Sequence, residues 1–130
     1  MSQRVLVIED DALLRDLVDL LLEQVGFRVA TTGVGRGAAD LVARFQPHLV
    51  LLDIQLPDTD GLKVLTSLRA RGHAMPILMM TADSRPQTVR DVMAMGGTGY
   101  LLKPFEPDAL VARVRLALDP GSATRRFTDI

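Results

Sequence analysis

A chain of 130 residues can bury one self-sufficient core and is too short for a second. Hydrophobic residues at 48% and charged residues at 24% exclude a disordered chain, and a formal net charge of −1 gives no overall pull toward nucleic acid or an anionic membrane. Cysteine is absent, which excludes disulfides, thiolate metal sites and cysteine nucleophiles together.

Val5-Leu6-Val7-Ile8 reads as a strand. It is too short for a signal peptide, no apolar run reaches membrane-spanning length, and a cytoplasmic protein with no membrane contact is expected. The acids Glu9, Asp10 and Asp11 follow it, and strand alternation is expected to turn Glu9 to the other face from the pair after it. Leu14, Leu17, Val18, Leu21 and Val25 recur at helical spacing up to Gly26. Phe27–Ala30 is a less apolar strand, expected near the sheet edge. Gly33, Gly35 and Gly37 loosen the start of a second helix, expected to be short, which Pro47 ends.

Leu49-Val50-Leu51-Leu52 is a strand buried on both faces, and it ends in Asp53, where a carboxylate cannot be core filler. A loop through Gln55, Pro57, Asp58 and Gly61 leads to a helix marked by Leu62, Val64, Leu65 and Leu68. Ile77–Met80 is a strand ending at Thr81, and Val89, Val92 and Met93 mark a fourth helix. Gly96-Gly97-Thr98-Gly99 reads as a pliable connection to a short strand, Tyr100–Leu102, which ends at Lys103-Pro104. Asp108–Leu118 is the last helix. Five strands alternating with five helices imply an α/β fold with a parallel sheet covered on both faces.

In such a sheet the carboxyl ends of the strands share one edge, where ligands bind. Asp10 and Asp11, Asp53, Thr81 and Lys103 therefore converge. Carboxylates about 5 Å apart repel by roughly 3 kcal/mol per pair at an effective dielectric near 20. A hard divalent cation such as Mg²⁺ relieves that repulsion and accepts phosphate oxygens. With a lysine charge and a hydroxyl donor beside it, the crevice describes a phosphoryl-transfer site in which a carboxylate is the nucleophile.

The stretches Val7-Ile8-Glu9-Asp10-Asp11, Leu51 to Gly61, Met80-Thr81-Ala82 and Tyr100 to Phe105, in this order and spacing, resemble the response-regulator receiver domains of two-component signalling, the CheY-like superfamily. The resemblance implies a flavodoxin-like (βα)5 doubly wound sheet of order 2-1-3-4-5 over residues 1–119, with 120–130 a polar tail or the start of a linker. It implies that Asp53 accepts a phosphoryl group from a histidine kinase or histidine phosphotransfer protein. Asp10, Asp11, Asp53 and the Gln55 main-chain carbonyl would hold Mg²⁺, or Mn²⁺ in its place. Thr81 and Lys103 would bind the phosphoryl oxygens, Thr81 and Tyr100 would form the switch, and Gln55 and Asp83 would tune hydrolysis. The Lys103–Pro104 bond is expected to be cis. The output would be a downstream protein or a fused domain read from the surface of the fourth helix, fifth strand and fifth helix, with homodimerisation there as a further arrangement and no direct nucleic-acid contact.

Rival readings are weaker. Gly33-Val34-Gly35-Arg36-Gly37 follows the second strand rather than the first, and its third glycine comes one residue early for a dinucleotide fingerprint. A phosphohydrolase of the haloacid-dehalogenase type needs a second Asp two residues after its nucleophile, where this chain has Gln55. A phosphorylation-independent adaptor usually lacks one of the site residues, and none is missing. His48 and His73 fall at strand entrances, away from the crevice, where structural roles are expected. The methionines read as core filling, and Arg125-Arg126 is too small a basic patch to suggest DNA contact.

Overall fold

Ten elements alternate in a computed structural model that describes residues 2–119: β1 (Arg4–Ile8), α1 (Ala12–Gln24), β2 (Arg28–Thr32), α2 (Ala38–Phe45), β3 (Leu49–Asp53), α3 (Gly61–Ala70), β4 (Ile77–Thr81), α4 (Pro86–Ala94), β5 (Gly99–Leu102) and α5 (Pro107–Leu118). The tail expected at 120–130, with Arg125 and Arg126, lies outside the described residues. All strands pair in parallel in the order β2-β1-β3-β4-β5, the doubly wound order that the family resemblance implies.

The sheet divides the core by residue parity. Leu6, Ile8, Val50, Leu52, Ile77 and Met79 pack with α2 and α3 on one face. Val5, Val7, Leu49, Leu51, Leu78, Met80 and Leu101 pack with α1 and α5 on the other. Every residue of β3 and β4 is buried, because neighbours flank both strands and helices cover both faces, whereas edge strand β2 is half open. Truncating a fully buried central side chain such as Leu51 would cost about 2–5 kcal/mol.

Backbone constraints set the loops. The Gly61 amide donates to the Ile54 carbonyl at 2.6 Å, and a Cβ on Gly61 would collide with the Asp53 carbonyl, so only glycine lets α3 start this close to β3. At α2 the N-cap is Gly37 with φ 79°, no side chain caps the helix, and it runs only eight residues, as its glycine-rich approach implies. That approach is nonetheless anchored. The Gly35 and Arg36 amides donate to the two Asp58 carboxylate oxygens (2.9 and 2.8 Å), tying it to the loop after Asp53. The connection before β5 is also held, with Thr98 donating its amide to the Ile77 carbonyl and accepting the Ile77 amide on its hydroxyl. His48 is structural: its Nδ1 accepts the Arg4 amide at 2.9 Å. The Lys103–Pro104 peptide is cis.

Candidate functional site

At the carboxyl edge of the sheet, Asp53 ends β3 with 4% of its surface exposed. Glu9, directly after β1, is fully buried, and Asp10 beside it is exposed. One carboxylate oxygen from each of Glu9, Asp10 and Asp53 lies within 4.8 Å of the others. Lys103, just after β5, places its ammonium 2.6 Å from Glu9 Oε1 and 3.3 Å from Asp53 Oδ2. The Gln55 amide donates to Asp53 Oδ1 at 3.1 Å, which fixes the start of the following loop against the acid.

Two expectations are corrected here. Asp11 does not join the acids: its Oδ1 accepts the amides of Leu13 and Leu14 (3.0 and 3.2 Å), making it the N-cap of α1. Glu9 takes the place in the crevice that alternation was expected to deny it. Alternation in fact puts Glu9 there, because Val5, Val7 and Glu9 share a parity. Val7 pairs in register with Leu51, two residues before Asp53. The acid trio is therefore Glu9, Asp10 and Asp53.

The electrostatics show the strain of this grouping. Burial, with the Glu9 carboxylate bonded beside it, pushes the Asp53 carboxyl up from 3.8 to about 7, against the downward pull of Lys103 and the Gln55 amide. Burial pulls the Lys103 ammonium down, but Glu9 and Asp53 together carry it above the ordinary lysine value. Glu9 Oε1 is buried with the ammonium close by, yet no hydrogen bond of sound geometry reaches it. Crowded oxygens with one lysine between them are a donor set that fits a hard divalent cation.

On the opposite parity, Thr81 ends β4, and its hydroxyl oxygen accepts the Asp83 amide at 2.9 Å. Asp83 itself is held by a fork from Arg85, with the Nη2 to Oδ2 contact at 2.6 Å, and by the Thr88 hydroxyl at 2.7 Å, and these bonds keep its carboxyl well below the usual carboxylate range. Tyr100, half-buried in β5, pairs in register with Met79 and packs against the core on the face that holds Met79 and Val92. Beside the acids, Leu13, Leu14, Leu17 and Phe105 line a mostly apolar groove of about 520 Å³ that reaches Lys103.

A doubly wound parallel sheet with the Glu9, Asp10 and Asp53 carboxylates and the Lys103 ammonium gathered at its carboxyl edge defines a flavodoxin-like frame with an acidic crevice that could hold a hard cation. The model of the response regulator receiver domain matches residues 5–115, and the chain belongs to that family. It is 42% identical over 118 residues to the DNA-binding response regulator MtrA of Mycolicibacterium paratuberculosis, covering 91% of this chain and 52% of that protein. Over 111 residues it is 38% identical to the cell cycle transcriptional regulator CtrA of Caulobacter vibrioides, covering 85% and 48%. The chain thus spans about half the length of these relatives. Among solved structures, the BeF3-activated N-terminal receiver domain of Klebsiella pneumoniae RstA superposes with a TM-score of 0.84 at 32% identity, covering 90% of this chain and 99% of that one. The chemotaxis response regulator CheY4 of Vibrio cholerae gives 0.85 at 27% identity with the same coverage.

Proposed function

We propose that this domain is a phosphorylation switch in which Asp53 accepts a phosphoryl group from a phosphohistidine. The observation that carries the reading is the buried Asp53 carboxylate grouped with Glu9 and Asp10 and paired to Lys103. An Asp53 oxygen forms a bond to phosphorus as the phosphorus–nitrogen bond breaks, and its electron pair leaves on an imidazole whose other nitrogen carries a proton. Lys103 neutralises the phosphoryl oxygens, and the Gln55 amide keeps the attacking carboxylate oriented. Glu9, Asp10, Asp53 and the Gln55 carbonyl would hold Mg²⁺, or Mn²⁺ in its place, which when bound supplies charge stabilisation at the transferring group. The domain turns over no separate substrate and catalyses only its own phosphorylation and dephosphorylation, with Gln55 and Asp83 flanking the phosphoryl group.

Exposed Leu13 and Leu17 on α1, beside the groove near Lys103, support docking of a histidine kinase or phosphotransfer protein within reach of Asp53. After transfer the Thr81 hydroxyl turns from the Asp83 amide to a phosphoryl oxygen and the Tyr100 ring moves into the space it leaves. The surface of α4, β5 and α5 changes with it. Met95, Leu102 and Leu116 are exposed on these elements or beside them, and they support a downstream protein, a fused domain or a second copy as the reader. The names of the relatives support a transcriptional output reached through such a domain, and the reading places the protein in the cytoplasm. Among the described residues no helix is long and apolar enough to cross a membrane.

Incubation with phosphoramidate and Mg²⁺, followed by intact-mass measurement, tests the chemistry. The expected result is a single hydroxylamine-labile phosphoryl adduct on the native chain and none on Asp53→Asn. Sustained turnover of a phosphomonoester, or an adduct that survives in the variant, would overturn the reading.

A further inference from the structure

Arg113, on α5, reaches across the edge strand to the aromatic residue of the switch. Its Nη2 donates to the Tyr100 carbonyl at 2.6 Å, and its guanidinium carbon lies 5.9 Å from the centroid of the Tyr100 ring. The crossing uses a gap at the first residue of β5. Gly99 is buried, and a Cβ there would stand 3.6 Å from Arg113 Nη2 and 3.4 Å from Leu78, so a side chain larger than a methyl group would compete with the guanidinium for the space. The main-chain bond fixes the cation to the strand, so the guanidinium–ring contact depends on where the ring is placed. A cation over an aromatic face attracts it through the ring quadrupole.

We propose that Arg113 is a positioning residue that holds the Tyr100 ring in its resting placement and thereby sets how readily the domain switches. The proposal deepens the reading above and rests on it. A guanidinium–ring contact at a partly exposed site corresponds to about a two- to five-fold bias between two ring placements.

Tyr100 is the sole tyrosine of a chain without tryptophan, so one spectroscopic signal reports its ring. The test labels the full chain with 3-fluorotyrosine and records fluorine NMR of the wild type, Arg113→Lys and Arg113→Leu, before and after addition of phosphoramidate with Mg²⁺. In the wild type the signal is expected to move on phosphorylation. In Arg113→Leu the unphosphorylated signal is expected to lie part-way to the phosphorylated position, and half-phosphorylation to need about two- to five-fold less phosphoramidate. Arg113→Lys, which keeps the charge without the planar fork, is expected to shift less. An Arg113→Leu signal identical to the wild type in a wild type that does respond overturns the proposal and leaves the switch reading standing. A wild-type signal indifferent to phosphorylation overturns both. Should Arg113→Leu fail to fold, Gly99→Val takes the same test, since it displaces the guanidinium with Arg113 intact. The same shift is expected, and its absence overturns the proposal.

Discussion

Asp53 ends β3 and Asp83 lies two residues beyond the neighbouring β4, and their surroundings treat them in opposite ways. Asp83 is half-buried, its charge met by the Arg85 fork and the Thr88 hydroxyl, and its carboxyl is held far down the scale. Asp53 is buried beside a second buried acid with one shared lysine, and its carboxyl is driven up to about 7. Both are carboxylates at the carboxyl edge of the sheet. What separates them is how much positive charge and how many donors each is given: the satisfied one shapes a loop, and the crowded one is left short of positive charge.

The largest expected effect comes from Asp53→Asn, which should abolish phosphoryl uptake outright in the mass assay described above. Next, Glu9→Gln removes one of the three crowded charges. It should weaken Mg²⁺ binding at least about tenfold, read by titration calorimetry, because each ligating carboxylate matters to a hard cation. Asp11→Ala should leave that affinity within about twofold while lowering stability by about 1 kcal/mol, the usual worth of an N-cap. If Asp11→Ala matched Glu9→Gln in Mg²⁺ affinity, the assignment of the acid trio would be wrong.

The pH dependence follows from Asp53, whose folded carboxyl binds its proton more tightly than the unfolded value of 3.8. Between 3.8 and about 7 the folded state keeps a proton that the unfolded chain has lost, so metal-free stability should fall as pH rises through this window and level off above it. The loss should be on the order of 1–3 kcal/mol by urea denaturation, should flatten with saturating Mg²⁺ and should be absent in Asp53→Asn. A metal-free protein that grew more stable across the same window would reverse the contrast between the two aspartates. The smallest effect belongs to Arg85→Ala. It removes an exposed ion pair and should leave the midpoint of thermal unfolding essentially unchanged, even as the Asp83 carboxyl returns toward its ordinary value in a carbon-detected titration.

Much of this was legible in the residues. Continuous aliphatic runs marked β1, β3 and β4 because both faces of those strands are covered, and the modest polarity of β2 marked an edge. The strand order came with the family resemblance, since hydrophobic period says nothing about which strands are neighbours. Asp53 and Lys103 were placed by the logic of the sheet edge. The place of Glu9 follows from the equal spacing of Val7 to Glu9 and Leu51 to Asp53, which puts both acids on one face of the sheet, a parity that the run of three acids conceals. Asp11 is ambiguous by sequence, because a metal ligand and a helix N-cap look the same just before Ala12 begins a helix. The Asp58 tie to the glycine loop and the reach of Arg113 to Tyr100 depend on how separate segments meet, and no local pattern announces either.

Lys103 has two moorings, Glu9 at 2.6 Å and Asp53 at 3.3 Å. A lysine tied to one acid alone would be stranded in a partly dry place whenever that acid gave up its charge to a proton or an ester, and the local structure would have to open to let water in. Here the nearer tether, to Glu9, does not depend on the charge of Asp53. Lys103 therefore keeps a carboxylate partner whether or not Asp53 carries its proton, and the crevice holds its cation in place through either charge state.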